Sequence, residues 1–275
     1  MSKRKRTVSA LMFGITAVLL LVGIFLTHSS GEEENISAVM RSEVLHDLYK
    51  ISLFGIKDVN PGLISAFAVT LIFFIFALTV RIFIIPRFKL IPGRFQLFLE
   101  EAVGMFNRLA VSNSPHRNGF LGAYVFTAGA YIFIGTLFEL FGFQAVSTQG
   151  ASVPLPAPLS DINGAICMGC LSYLVILSGG LIANGLRGAG QTLKDFSLPI
   201  SMSFRLFGAL LSGALVTELV YYYFSLSFVL PVIVGVLFTL LHALIQAYVL
   251  TMLTALFYGE VTEPRKNKNN GGQSK

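Results

Sequence analysis

Apolar residues in this chain come in long runs, set off by short clusters of charge. Val8 to Thr27 carries no charged residue, and about 20 apolar residues are enough for one helix to cross the hydrocarbon core of a bilayer. Pro61 to Ile85, Phe120 to Phe143, Ile162 to Leu186, Phe196 to Phe224 and Pro231 to Tyr258 repeat the pattern, so the sequence predicts six crossings. Leu90 to Ser112 differs. It mixes Arg94, Gln96, Glu100, Glu101, Asn107 and Arg108 with apolar residues, which predicts a helix lying along the membrane interface. The stretch from Glu32 to Asn60 is polar, and Val44 to Leu53 within it suits a short surface helix. Asp195 to Phe228 as one helix would measure about 50 Å, and Pro231 to Tyr258 about 42 Å, against a core of about 30 Å. These two are therefore expected to form a long, strongly tilted pair, turning around Ser225 to Leu230.

The charge clusters orient the runs. Lys3 to Arg6, then Arg81, Arg87 and Lys89, then Arg117, then Arg187 and Lys194, and finally Arg265, Lys266 and Lys268 all fall on one side of a six-crossing arrangement. Cytoplasmic loops carry such an excess, so both termini are expected inside. The loop leading to Ser160 has prolines and glycines but no Lys or Arg, as an external loop should. A signal peptide is the rival reading of the first run, since it too has a basic start and an apolar stretch. The chain thus divides into an N-terminal helix (1–30), an external polar segment (31–60), a membrane domain (61–260) and a polar tail (261–275). Composition agrees: 54% of the 275 residues are hydrophobic and 12% charged, with a mean hydropathy of +0.74, which excludes an ordinary soluble domain. The net charge of +6 sits at the edges of apolar runs, a topology signal that implies no nucleic acid. The fold class is an all-α membrane protein, with membrane lipid as its first partner.

Between Lys194 and Arg265 stands a single basic residue, Arg205. Guanidinium keeps its proton at any physiological pH, and a central Arg costs at least about 2.5 kcal/mol to insert. Something must compensate it. One reading is a side chain that snorkels to the cytoplasmic surface; the other is an ion-pathway residue facing a carboxylate. Glu139, Asp161, Asn163, Glu218, His242 and Gln246 lie in the same crossings. Each has an ordinary explanation: a carboxylate near a helix end is often solvated, and a lone His or Gln often makes one interhelical hydrogen bond. Together they supply acids, an imidazole and amides, the parts of a proton or cation relay. His242 and Gln246 share one helix face, about 6 Å apart along the axis.

Four separated motifs narrow the reading. They are Ile91-Pro92-Gly93-Arg94-Phe95-Gln96 with Glu100 and Gly104; Pro158-Leu159-Ser160-Asp161-Ile162-Asn163; Leu198-Pro199-Ile200-Ser201-Met202-Ser203-Phe204-Arg205-Leu206-Phe207-Gly208; and Ile245-Gln246-Ala247-Tyr248-Val249-Leu250-Thr251-Met252-Leu253. In content and order they resemble subunit a of the F-type rotary ATP synthase, across roughly Leu53 to Glu260. The resemblance implies the stator of the Fo membrane motor, with no catalysis of its own and no cofactor. Arg205 would face a ring of c subunits and attract each ring carboxylate once it has lost its H⁺ or Na⁺. Two offset half-channels would connect the ring to opposite sides of the membrane, and Gln246 would lie beside the Arg, with Ser201 among the ion-translocation residues. Implied partners are the c-subunit ring, the b-subunit stator stalk and the other synthase subunits, in a bacterial plasma membrane. The chain departs from the family pattern at Ala209, Ala214 and Thr239. Glu218 and His242, each about one turn from a missing polar group, are expected to substitute and to line the outer half-channel with Glu139 and Asp161.

An ion-coupled secondary transporter is the alternative, since it too needs charges near the midplane, but the paired repeats such folds often show are not evident. Cys167 and Cys170 suggest metal or redox chemistry only weakly, because zinc normally takes four ligands. They read as small packing residues, and no metal is expected. Without a Gly-x-x-x-x-Gly-Lys-Ser/Thr motif, nucleotide chemistry would belong to partners.

Overall fold

The computed structural model describes residues 51–53, 56–146, 152–222 and 230–264, together with Val18 and Val22. Most of the expected first crossing, most of the external segment and the tail from 265 to 275 lie outside the described residues.

The first described element is a two-stranded antiparallel hairpin, β1 (Ile51–Leu53) and β2 (Ile56–Val59). The C-terminal end of the expected Val44 to Leu53 surface helix is therefore strand, in keeping with the β-branched residues at 51, 56 and 59. Asn60 caps α1 (Pro61–Thr79) by accepting from the Gly62 amide at 2.8 Å, and Pro61 fills the first helical position, where no amide is needed. After Thr79 the helix widens into a π turn over Val80–Ile84 and tightens into a 3-10 turn over Ile85–Arg87. Pro86, which lacks an amide, ends it. α1 buries Pro61, Gly62, Ser65 and Val69, while Phe67, Phe74 and Ile75 are exposed. A helix apolar on all sides and so little covered by protein belongs in lipid.

α2 (Arg94–Asn113) has the amphipathic character its sequence predicts. Phe106, Leu109 and Ala110 pack on the core, and Glu101 pairs with Arg108 on the exposed side. α3 (Gly119–Leu140) leads to a second small hairpin, β3 (Gln144–Val146) and β4 (Ser152–Pro154), paired Gln144↔Pro154. Then follow α4 (Ile162–Lys194), α5 (Ser197–Tyr222) and α6 (Leu230–Thr262). Five described helices are long and apolar enough to cross a membrane.

Helices α3 to α6 form an up-and-down bundle. Tyr124 of α3 bonds Ser172 of α4 at 2.8 Å, and Gly135 of α3 lies against Pro158 just before α4. Gly169 of α4 packs on Pro199 and Ser203 of α5, and Gly213 of α5 faces His242 of α6. Both pairs are antiparallel. Asn184 near the far end of the first limb of α4 donates to the Val261 carbonyl at 2.7 Å, and Gly179 packs on Tyr258, so α4 and α6 run parallel. The core lies between these four helices and α2, around Leu121, Ile132, Ile176, Leu206 and Leu250.

Two features bear on the sequence expectation. The crossing ends beside Leu186 as expected, but the return begins there and not near Phe196: Gly185, at φ 62 and ψ −149, breaks α4. Gly188 comes back against Gly180, and the Tyr173 hydroxyl donates to the Thr192 carbonyl at 3.0 Å. The chain therefore reverses at Gly185, and the segment to Lys194 already belongs to the return limb that leads into α5. Lengths also differ. Within the described residues α5 has 26 residues, about 39 Å, and α6 has 33, about 50 Å. Both exceed the hydrocarbon core.

Buried hydroxyls explain how polar residues enter such helices. Ser65, Thr136, Ser172, Thr192, Ser203, Thr251, Thr254 and Thr262 each donate to the carbonyl four residues earlier. In lipid a polar group must be satisfied internally, and this bond meets the need without a second helix.

Candidate functional site

α5 has two unlike faces around its cation. Met202, Ser203, Leu206 and Leu210 are buried, at the spacing of one helix face. Ser201, Phe204, Arg205, Gly208 and Ser212 form the opposite, exposed stripe. A side-chain carbon added at Gly208 would meet nothing within 4 Å, so the surface beside Arg205 is open. Among the described residues the guanidinium makes no ion pair or hydrogen bond. The fixed charge thus stands on the face that this chain leaves uncovered.

Gln246 is its opposite in burial. Only 6% of it is exposed, and its Oε1 is buried without a hydrogen-bond partner among the described residues. With Gly213 opposite His242 and the helices antiparallel, Gln246 and Arg205 lie about one turn, or 6 Å, apart in level. They occupy different faces, one inward and one outward.

His242 is half-buried over Gly213. Its Nδ1 lies 2.8 Å from the Phe238 carbonyl, and its ring centroid 5.8 Å from that of Phe238. A carbonyl only accepts, so Nδ1 carries the proton and Nε2 is the nitrogen left to bind or release another. Gln246 lies one turn further along α6, as the spacing predicts.

The three acidic residues singled out in the sequence lie toward one end of the bundle. Glu139 is half-buried near the C-terminus of α3 and has its own interaction. Asp161 caps α4, accepting from the Asn163 backbone and side-chain nitrogens at 3.3 Å each. Because α3 and α4 are antiparallel, the two acids belong to the same end. Glu218 lies in the part of α5 that runs toward that end; its side chain is outside the described residues. It is 13 residues from Arg205, about 20 Å along the helix.

A cavity of about 430 Å³ opens beside Asp161 and Asn163, between α1, α3 and α4. Tyr124, Thr127, Tyr131 and Cys167 also line it. Sequence reasoning weighed Cys167 as a packing residue and did not select the other three. A weak signal existed, for Tyr124 and Tyr131 are seven apart and share one face of α3. Cys167 and Cys170 are both free, and among the described residues no group of three potential metal ligands occurs.

Residues 62–259 match the family described as ATP synthase A chain. The ATP synthase subunit a of Cereibacter sphaeroides (strain ATCC 17025 / ATH 2.4.3) is 26% identical over 183 residues, covering 62% of this chain and 70% of the relative. The match spans the described bundle and both helices that carry Arg205 and Gln246, and the chain belongs to the ATP synthase A chain family, non-catalytic membrane subunits of the synthase's Fo sector.

Proposed function

We propose that this chain is the Fo stator that passes ions to and from a rotating ring of c subunits, with Arg205 as the electrostatic gate between two half-channels. The observation that carries the reading is the exposed, unpaired guanidinium on an open stripe of α5. A permanent cation in a membrane domain calls for an anion, and no described residue of this chain supplies one, so the counter-charge belongs to another polypeptide. A ring carboxylate meets that requirement.

The mechanism follows from charge. Facing Arg205, a carboxylate is favoured in its ionised form, so it gives up its H⁺, or Na⁺, before passing. The same positive charge repels cations that would leak directly between the half-channels. Glu139, Asp161, Asn163, Glu218 and His242 form the outer half-channel, with Nε2 of His242 as a proton relay atom. Ser201 extends the Arg205 stripe by one turn, and the orphaned Oε1 of Gln246 offers an acceptor for a water about one turn from the level of the gate. The b-subunit stalk holds the stator still, in the plasma membrane of a bacterium with both termini cytoplasmic.

The test is Arg205→Ala in the assembled synthase, reconstituted in vesicles. ATP-driven ion uptake is expected to vanish while the soluble head still hydrolyses ATP. Uptake that remains coupled to hydrolysis would overturn the assignment. Ion uptake by the purified chain alone, driven by a solute gradient, would favour the secondary transporter.

A further inference from the structure

The link between α1 and α2 is shaped in an unusual way. Gln96 reaches back seven residues: its Oε1 accepts from the Lys89 amide at 3.1 Å, and its Nε2 donates to the Lys89 carbonyl at 3.0 Å. Nε2 also donates to Glu100 Oε1 at 2.7 Å. These bonds hold the intervening loop closed. At its tip Leu90 and Ile91 are 105% and 86% exposed, more than any apolar side chain of α1. Two bulky aliphatics displayed on a stapled loop need a covering that costs them no water contact.

Charge identifies that covering. Arg87, Lys89 and Arg94 are exposed around the tip and make no ion pair among the described residues. The two carboxylates of this region are engaged elsewhere, Glu100 with Gln96 and Glu101 with Arg108. The loop is thus an aliphatic point in an uncompensated basic collar. It also directly follows α1, whose exposed apolar surface is continuous with the bilayer. We infer that the Leu90–Ile91 loop is a membrane anchor that inserts its tip among the acyl chains while Arg87, Lys89 and Arg94 bind the headgroups of anionic phospholipids. Acyl chains take the aliphatics, and phosphate groups take the cations. The inference is independent of the gate proposed for Arg205.

The chain contains no tryptophan, so Ile91→Trp places a single fluorescent reporter at the tip. The full-length variant is reconstituted into phosphatidylcholine vesicles with and without phosphatidylglycerol, using acyl chains brominated in one lipid or the other. Bromine is expected to quench the reporter, with a clear preference for brominated phosphatidylglycerol. Adding Arg87→Gln, Lys89→Gln and Arg94→Gln is expected to lower that preference about fivefold per charge, while quenching by phosphatidylcholine persists. Quenching by aqueous iodide in place of brominated lipid would overturn the inference, as would equal quenching by the two lipids. A second measurement puts a photoreactive group at position 91 in the assembled synthase. Cross-linking to phospholipid supports the anchor, and cross-linking to another polypeptide refutes it.

Discussion

Replacing Gly169 with Ala adds one methyl group at the crossing of α4 and α5, where it meets Ser203, two residues of helix from Arg205. The new carbon would lie 2.9 Å from the Pro199 carbonyl oxygen and 3.1 Å from the Ser203 nitrogen, with Ser203 Oγ closer still. The hydroxyl can rotate away only by giving up its 2.7 Å bond to Pro199; the backbone atoms cannot yield without moving a helix. Restoring ordinary contact needs a separation of roughly 0.5 Å, and overpacking of this kind costs about 1–3 kcal/mol. Arg205 travels with Ser203. Since a displacement of 1 Å can cost about 100-fold in rate, half of it is expected to lower ATP-driven ion uptake about tenfold. Uptake and thermal unfolding are measured together in reconstituted synthase, beside Gly190→Ala as a control, where a side-chain carbon meets nothing within 4 Å. Adding Ser203→Ala removes the nearest clash and should recover part of both losses, a coupling between the two sites. Wild-type uptake and stability in Gly169→Ala, or equal damage from Gly190→Ala, would refute the crossing as the element that sets the position of Arg205.

Gly185→Ala is expected to lower stability by about 1–3 kcal/mol, because φ 62 with ψ −149 is a conformation open essentially to glycine; thermal unfolding in detergent checks this. Tyr124→Phe removes the bond to Ser172 and should cost about 0.5–1.5 kcal/mol by the same measurement. Glu218→Gln is expected to reduce ATP-driven uptake while hydrolysis persists, and unchanged uptake would remove Glu218 from the proposed half-channel.

The helices were legible because the need for about 20 apolar residues writes itself into the sequence. α1, α3, α5 and α6 begin and end close to the apolar runs and α4 begins with one, while the interfacial reading of α2 rested on charges that the fold leaves exposed. The end of that crossing at Leu186 was legible from Arg187, whereas the immediate return of the chain was hidden, since only the glycines at 185, 188 and 190 mark it. Those glycines permit a close return of the chain, a property of backbone approach that a hydropathy profile does not register. Arg205 stood out in sequence as an isolated cation, yet its exposure was not legible. That depends on which face of α5 meets α4 and α6, and the moment of an all-apolar helix is too small to say. His242 and Gln246 were correctly placed on one helix, but the inward turn of Gln246 followed only from the packing around Ala243 and Ala247.

Glycine meets backbone at three places where helical segments approach: Gly169 on the Pro199 carbonyl, Gly180 on Gly188, and Gly259 on the Asn113 carbonyl. Side chains between two helices act as a cushion, since rotamers give way under load, whereas backbone against backbone has almost no such compliance. A stator loaded sideways by a turning ring would waste work if its helices flexed at each step. At these crossings the soft layer is missing, so in the proposed stator role the bundle would transmit torque rather than absorb it.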